Sequence, residues 1–441
     1  MTRYFDVAGT YKRLVRLSQR HVSIIATVGC ALIAFVYIGE LIQATTDESD
    51  GDGNRPYWTT ANASPPTLRQ VHAMASSVGV EFDVRNRVDV LAEMRERHLN
   101  PVPAVTIGGL LGNKGLGSGG AIDVNKLAPI GGISSSLTVL CNESGQYVTF
   151  ESDEHGFRNP SGVWNQYHAD LAVVGESFAQ GYCVPDGKSF ADLLRVKYPL
   201  TLNLGMSGES ALLQLAAIRE YLRGYMPKTV LWVYCEDIDI ADLFEETKQP
   251  LLIRYLDPDF TQNLASRQNE IDGGLRRFVA GDEASQRSGR EAPVESAFNI
   301  ERGLSILKLW HLRSMLDAAR ATDEAQAVRM LEKWHNYPYA EIIQQAQALT
   351  HSWGGALYFV YLPSWRRYRH HAAATELEHT AILRMIKELQ IPYIDLEPAF
   401  DATRDPLSLF PYRRFGHYNE EGNKLVADTI LHVLANRETT H

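Results

Sequence analysis

Apolar residues gather in short, nearly unbroken runs from about residue 170 onward. The runs are Leu171–Val174, Thr201–Leu204, Thr229–Tyr234, Leu357–Leu362 and Tyr393–Leu396. Runs this short and continuous predict strands buried on both faces, not the alternating pattern of half-exposed strands. Between them the period changes. Phe190–Lys197, Ala211–Arg223, Ala373–Leu389 and Glu420–Ala435 carry apolar residues at helical spacing. Strands alternating with helices imply an α/β fold with a parallel sheet covered on both faces. A long insertion, residues 244–352, separates the third and fourth strands; its pattern is mostly helical, with a polar stretch from Ala280 to Glu295.

Upstream the pattern is different. Leu68 to His98 has helical periodicity that breaks near Gly79, and Leu137–Cys141 and Tyr147–Glu151 flank NESGQ as a predicted β-hairpin. Ile107 to Gly120 is glycine-rich but lacks Gly-Lys-Ser/Thr and a preceding strand, so it reads as a flexible loop and not a phosphate cradle. Val22 to Gly39 is uncharged and apolar and reaches the lower length limit for a membrane-spanning helix. Basic residues precede it and an acidic TTDESDGDGN follows, which places the N-terminus in the cytoplasm and the remainder outside. A cleaved signal peptide with a small-residue site near Ala44 is the alternative. The expected organisation is a basic tail (1–21), a transmembrane signal anchor (22–42), a polar linker (43–66), a small α+β segment (67–165) and the α/β domain (166–438).

Composition changes this picture little, at 45% hydrophobic and 22% charged residues. Charge changes it more. The net charge is −10, although Arg3, Lys12, Arg13, Arg16 and Arg20 face only Asp6 in the tail. The remainder is therefore strongly acidic, which argues against a nucleic-acid partner. Of the four cysteines, Cys30 lies in the apolar run and Cys235 ends a strand as an expected buried thiol. Cys141 and Cys183 stand at loop edges in what would be a disulfide-permissive compartment; they pair as a disulfide or remain two free thiols. No spacing resembles a zinc site, and no nucleotide, metal or organic cofactor is implied.

The chemistry concentrates at strand ends. LAVVGESFAQG (Leu171 to Gly181) is a buried strand that breaks at Gly175 and presents Ser177 at the first turn. That turn lies at the carboxyl edge of the sheet, where open α/β folds bind ligands. Two readings stand for Ser177: a helix N-cap, or a nucleophile with unpaired N–H groups behind it. The second strand ends in NLGMSG, and Gly205 offers a backbone N–H beside Ser177. His417, in a loop before the last helix, shares that edge and has the chemistry to take the serine proton. LPSWRRYRHH follows the fourth strand. There Trp365 and Tyr368 suit sugar stacking, while Arg366, Arg367 and Arg369, with Arg413 and Arg414, suit anionic substituents. The alternative is a solvated basic helix start.

In this order the motifs resemble the Ser/Gly/Asn/His (SGNH) hydrolase superfamily, the GDSL hydrolases. GESFAQG looks like the first block with Glu176 in place of Asp, NLGMSG like the second, and GHYNEEGN like the last. SDEHGFRNP (Ser152 to Pro160) is similar to a segment of bacterial members linked to exopolysaccharide production. The resemblance implies a three-layer flavodoxin-like fold with a five-stranded parallel sheet. It implies Ser177 as nucleophile, His417 as base, and an oxyanion hole from the N–H groups of Ser177 and Gly205 with an Asn side chain. Two departures stand out. The third block, VYCEDIDIADL, puts Asp237 and Ile238 where the family has Gly and Asn, and Ile has no donor. Arg414 occupies the position of the Asp three residues before His; Asp401 and Asp405 are the candidates to orient His417 instead. The expected function is a single-pass inner-membrane serine esterase or O-acyltransferase, its main domain periplasmic, acting on an acylated polysaccharide alongside exopolysaccharide assembly proteins. The alternative is a degenerate module that binds glycan or a partner without catalysis.

Overall fold

The computed structural model describes residues 68–106, 110, 122–236, 238–291, 338–370, 373–413 and 416–438. The expected membrane span, the linker, most of the glycine-rich loop, Asp237 and Arg414 lie outside the described residues, as does the middle of the insertion. No helix among the described residues is long and apolar enough to cross a membrane. Except for Glu291, the described elements belong to one compact unit, residues 52–290 with 321–441.

In chain order, helices α1 (Leu68–Ser77) and α2 (Arg87–Glu96) precede a short strand β1 (Val102–Pro103) and the hairpin β2 (Leu137–Cys141) and β3 (Val148–Glu151). β1 pairs parallel to β2, and β2 pairs antiparallel to β3 with an irregularity between Val139 and Cys141. The α/β part opens with β4 (Leu171–Val174), α3 (Ser177–Gln180), α4 (Phe190–Arg195), β5 (Thr201–Asn203), α5 (Ala211–Ala217) and β6 (Thr229–Cys235). The insertion begins with α6 (Asp239–Glu246), α7 (Pro250–Ile253) and α8 (Gln268–Glu291), and ends with α9 (Tyr339–Ser352). There follow β7 (Ala356–Leu362), α10 (Trp365–His370), α11 (Ala373–Glu388), β8 (Tyr393–Asp395), α12 (Glu397–Asp401) and α13 (Glu420–Glu438).

The five later strands form one sheet in the order β5-β4-β6-β7-β8, and every pairing is parallel. By position in the sequence this is the 2-1-3-4-5 order of flavodoxin-like folds. The continuous apolar runs have a direct cause. Ala172, Val174, Trp232, Tyr234 and Phe359 face one core, while Leu171, Val173, Val233, Val360 and Ile394 face another. Successive side chains point to opposite faces, so a strand covered on both sides needs apolar residues at every position. α5 and α9 cover the first face, and α4 and α13 the second. The order reverses between β4 and β6, and Ser177 follows β4 at that reversal, the place where such sheets leave a ligand crevice.

Candidate active site

The Ser177 turn is built by exclusion. A Cβ on Gly175 would lie 2.8 Å from the Ala179 Cβ and 2.9 Å from the Val233 Cβ, so only glycine lets α3 fold back onto the sheet. Glu176 caps α3, its Oε1 accepting from the Phe178 N–H at 3.0 Å. Ser177 opens the helix, and Gly181 at φ 75° closes it. Ser177 is buried, and its Oγ lies 2.7 Å from His417 Nε2.

His417 Nδ1 lies 3.0 Å from both carboxylate oxygens of Glu143, and the His417 backbone N–H donates to Glu143 Oε2 at 3.1 Å. A carboxylate at Nδ1 holds the proton on that nitrogen and leaves the Nε2 lone pair facing Ser177. The ring sits between Phe178 and Tyr182, with centroids 4.7 and 4.6 Å away. Burial pulls the imidazole pKa down. The charge and hydrogen bond of Glu143, with the charge of Glu176 behind them, outweigh that and leave it raised above its ordinary value. Gly416, at φ 87°, makes room for the acid: a Cβ there would lie 2.7 Å from Glu143 Oε2.

The group that orients His417 is therefore Glu143, in the β2–β3 turn, and not Asp401 or Asp405. Asp405 pairs with Arg413, and Asp401 is exposed at the end of α12. Cys141, at the start of this turn, is joined to Cys183 as a disulfide, their Cα atoms 5.4 Å apart. Asn142 fixes the tip of the turn: its Oδ1 accepts from the Gly145 N–H at 3.0 Å, and its Nδ2 donates to the Asp83 carbonyl at 2.9 Å. The signal in the sequence was an acid in a hairpin turn beside a half-cystine.

The oxyanion side also differs from expectation. The Gly205 N–H donates to Asn203 Oδ1 at 2.9 Å, so it is already used. Gly205 serves close packing instead, since a Cβ would lie 2.6 Å from the Ala179 carbonyl carbon and the Gln180 nitrogen. Gly208, on the same loop at φ 80°, and Ser177 keep N–H groups with no acceptor among the described residues. Ile238 is buried in the apolar cluster with Phe178 and Tyr418 and supplies no donor. Asp239 is structural. Its carboxylate accepts from the Cys235 N–H at 2.6 Å and Gln214 Nε2 at 3.1 Å, and burial, reinforced by the Glu176 charge, raises its pKa well above the carboxylate range.

The basic rim is mostly spoken for. Arg367 is buried and bound to Glu236 (2.5 Å), Glu376 (2.9 Å) and Glu397 (2.8 Å), so it is an internal anchor and not a substrate arm. Trp365 packs toward Val71, Ala75 and Phe82, and Tyr368 stacks on Phe400. The Arg366 guanidinium lies 5.9 Å from the Trp365 ring. Glu376, His379 and Glu397 bring potential ligand atoms within 4.8 Å of one another, but Arg367 already supplies the positive charge there.

No family model and no curated protein matches the sequence. Solved structures do. One is a two-domain esterase active on acetylated mannans, at 13% identity and a TM-score of 0.31 over 63% of this chain and 51% of that one. The match thus spans about half the length of that esterase. A lipase/acylhydrolase from Enterococcus faecalis matches at 11% identity and a TM-score of 0.32, over 60% of this chain and 96% of its own. A member of the lipolytic G-D-S-L family from Veillonella parvula matches at 12% identity and a TM-score of 0.31, over 60% of this chain and 97% of its own. At these values the functional reading rests on the site's own side chains.

Proposed function

We propose that this chain is a serine esterase or O-acyltransferase of SGNH type, anchored in a membrane by its apolar N-terminal run and acting outside it on an acylated polysaccharide. The observation that carries the catalytic part is the unbroken chain from Ser177 Oγ to His417 Nε2 and from His417 Nδ1 to Glu143. In this reading Nε2 takes the Ser177 proton as Oγ attacks the ester carbonyl. The charge that develops on the carbonyl oxygen goes to the N–H of Ser177 at the start of α3. The imidazolium, held by Glu143, returns its proton to the departing sugar oxygen and leaves an acyl-serine. Water then completes hydrolysis, or a second sugar hydroxyl completes transfer. The anchoring and outward topology are supported by the basic tail, the apolar run and the acidic segment after it.

A second reading, a binding module without turnover, draws on Glu176. Its Oε2 also hydrogen-bonds to Ser177 Oγ, and Ile238 leaves the oxyanion side one donor short. Release of acetate from an acetylated polysaccharide by the full chain separates the two. Turnover lost in Ser177→Ala and His417→Ala supports the enzyme. Turnover that both variants retain removes Ser177 from the reaction, and glycan binding without turnover supports the module.

A further inference from the structure

We infer that the Cys141–Cys183 disulfide is a positioning element of the active site, holding Glu143 against His417. The inference rests on the hydrolytic reading above. The three residues come from two sheets. Ser177 follows β4 and His417 precedes α13, both in the α/β part built on the five-stranded sheet, whereas Glu143 follows β2 of the three-stranded one. Glu143 stands two positions beyond Cys141, and Cys183 six beyond Ser177. The bridge therefore ties the acid's turn to the nucleophile's turn by the shortest covalent route.

Each side of the bridge differs in what else holds it. The Cys183 side is clamped: the buried Arg158 donates from Nη1 to the Gly181 carbonyl at 2.5 Å and from Nη2 to the Val184 carbonyl at 2.8 Å. Cys183 itself sits in the left-handed region at φ 57°. The Glu143 turn is held to the upstream segment by Asn142 to the Asp83 carbonyl and by the Asp83 N–H to the Gly145 carbonyl at 2.7 Å, and Glu143 itself accepts from the His417 backbone N–H. The β2–β3 ladder shifts register between Val139 and Cys141 and resumes at Cys141, which pairs with Val148; an irregularity of this kind bends the strand end just before Glu143. The bridge transfers the position of the clamped turn to that end. Glu143 and Cys183 both line a cavity of about 310 Å³, and both half-cystines are buried.

The test is a double-mutant cycle on the full chain. Cys141→Ser with Cys183→Ser should lower kcat by on the order of 100-fold with KM little changed, the effect that a displacement of about 1 Å produces at a catalytic group. In a Glu143→Gln background the same pair should leave kcat where Glu143→Gln alone puts it, because the bridge acts through Glu143. Equal falls in both backgrounds, or none in either, overturn the inference. A second measurement needs neither a substitution nor a substrate. Dithiothreitol reduces the bridge, its two thiols passing two electrons and two protons to Cys141 and Cys183 and closing to a cyclic disulfide. The downfield Nδ1–H proton resonance of His417 should then fade while the backbone amide spectrum persists. Survival of that resonance in the fully reduced chain, or collapse of the whole spectrum, overturns the inference. A redox-sensitive resonance without Ser177-dependent turnover counts against the hydrolytic reading and leaves the bridge in place.

Discussion

Ser177 Oγ carries one proton and faces two acceptors, His417 Nε2 and the Glu176 carboxylate. The proton reaches the base only when the imidazole is neutral. Because His417 titrates above its ordinary value of 6.5, kcat/KM should rise with pH through a midpoint above that value. Glu143→Gln removes the strongest cause of the raise, so it should lower that midpoint along with the plateau. The plateau loss should approach about 10⁴-fold, the cost of a misoriented imidazole in a serine triad. A pH–rate profile of both proteins reads the midpoint and the plateau together. Asp401→Asn and Asp405→Asn should leave the profile unchanged, since neither carboxylate touches the ring. That Ser177 and His417 meet was legible in the sequence because both stand at strand or helix ends on one sheet edge. Glu143 was not, because it comes from a turn before the sheet begins and no local spacing links it to His417.

The hairpin β2–β3 and helix α10 show how single elements were read well or badly. Strand limits were legible to within a residue or so because each strand is buried on both faces, so its apolar run has no polar interruption and stops where glycine or polar residues begin the turn. β1, two residues long, left no pattern to read. The helix beginning at Ala211 gives way to a π-helical turn at Ile218–Leu222, which periodicity did not distinguish. α10 misled through its charge: Trp365-Arg366-Arg367 suggested a substrate rim, but Arg367 turns inward to the fully buried Glu236. Arg367→Ala should therefore cost about 3–5 kcal/mol in denaturant unfolding, the penalty for stranding a buried charge. A raised KM with unchanged stability would return Arg367 to substrate binding. The bridge joins residues 42 apart in the chain, and closing a loop of that length stabilises by about 4 kcal/mol in the chain-entropy model.

The sheet order brings β4, β5 and β6 side by side, so Ser177, the Gly205–Gly208 loop and α6 meet at one edge. Several acids are buried behind that edge. Burial raises Glu246 to about 8, and burial likewise raises Glu209, Asp239 and Asp242 well above the carboxylate range. A carboxyl raised on folding binds more protons in the folded state than in the unfolded one. Its stabilising effect is present below the unfolded value of 4.5 and lost as pH rises through about 8 for Glu246. Unfolding free energy should therefore decline across that window, and Glu246→Gln should flatten the decline in a pH series of denaturant melts. The central claim, that Ser177 is a nucleophile activated through His417 and Glu143, is tested most directly by fluorophosphonate labelling of the full chain followed by peptide mass spectrometry. One adduct is expected, on Ser177, formed far more slowly in His417→Ala and Glu143→Gln and absent in Ser177→Ala. No adduct on Ser177, or an adduct whose rate is indifferent to His417 and Glu143, would contradict it.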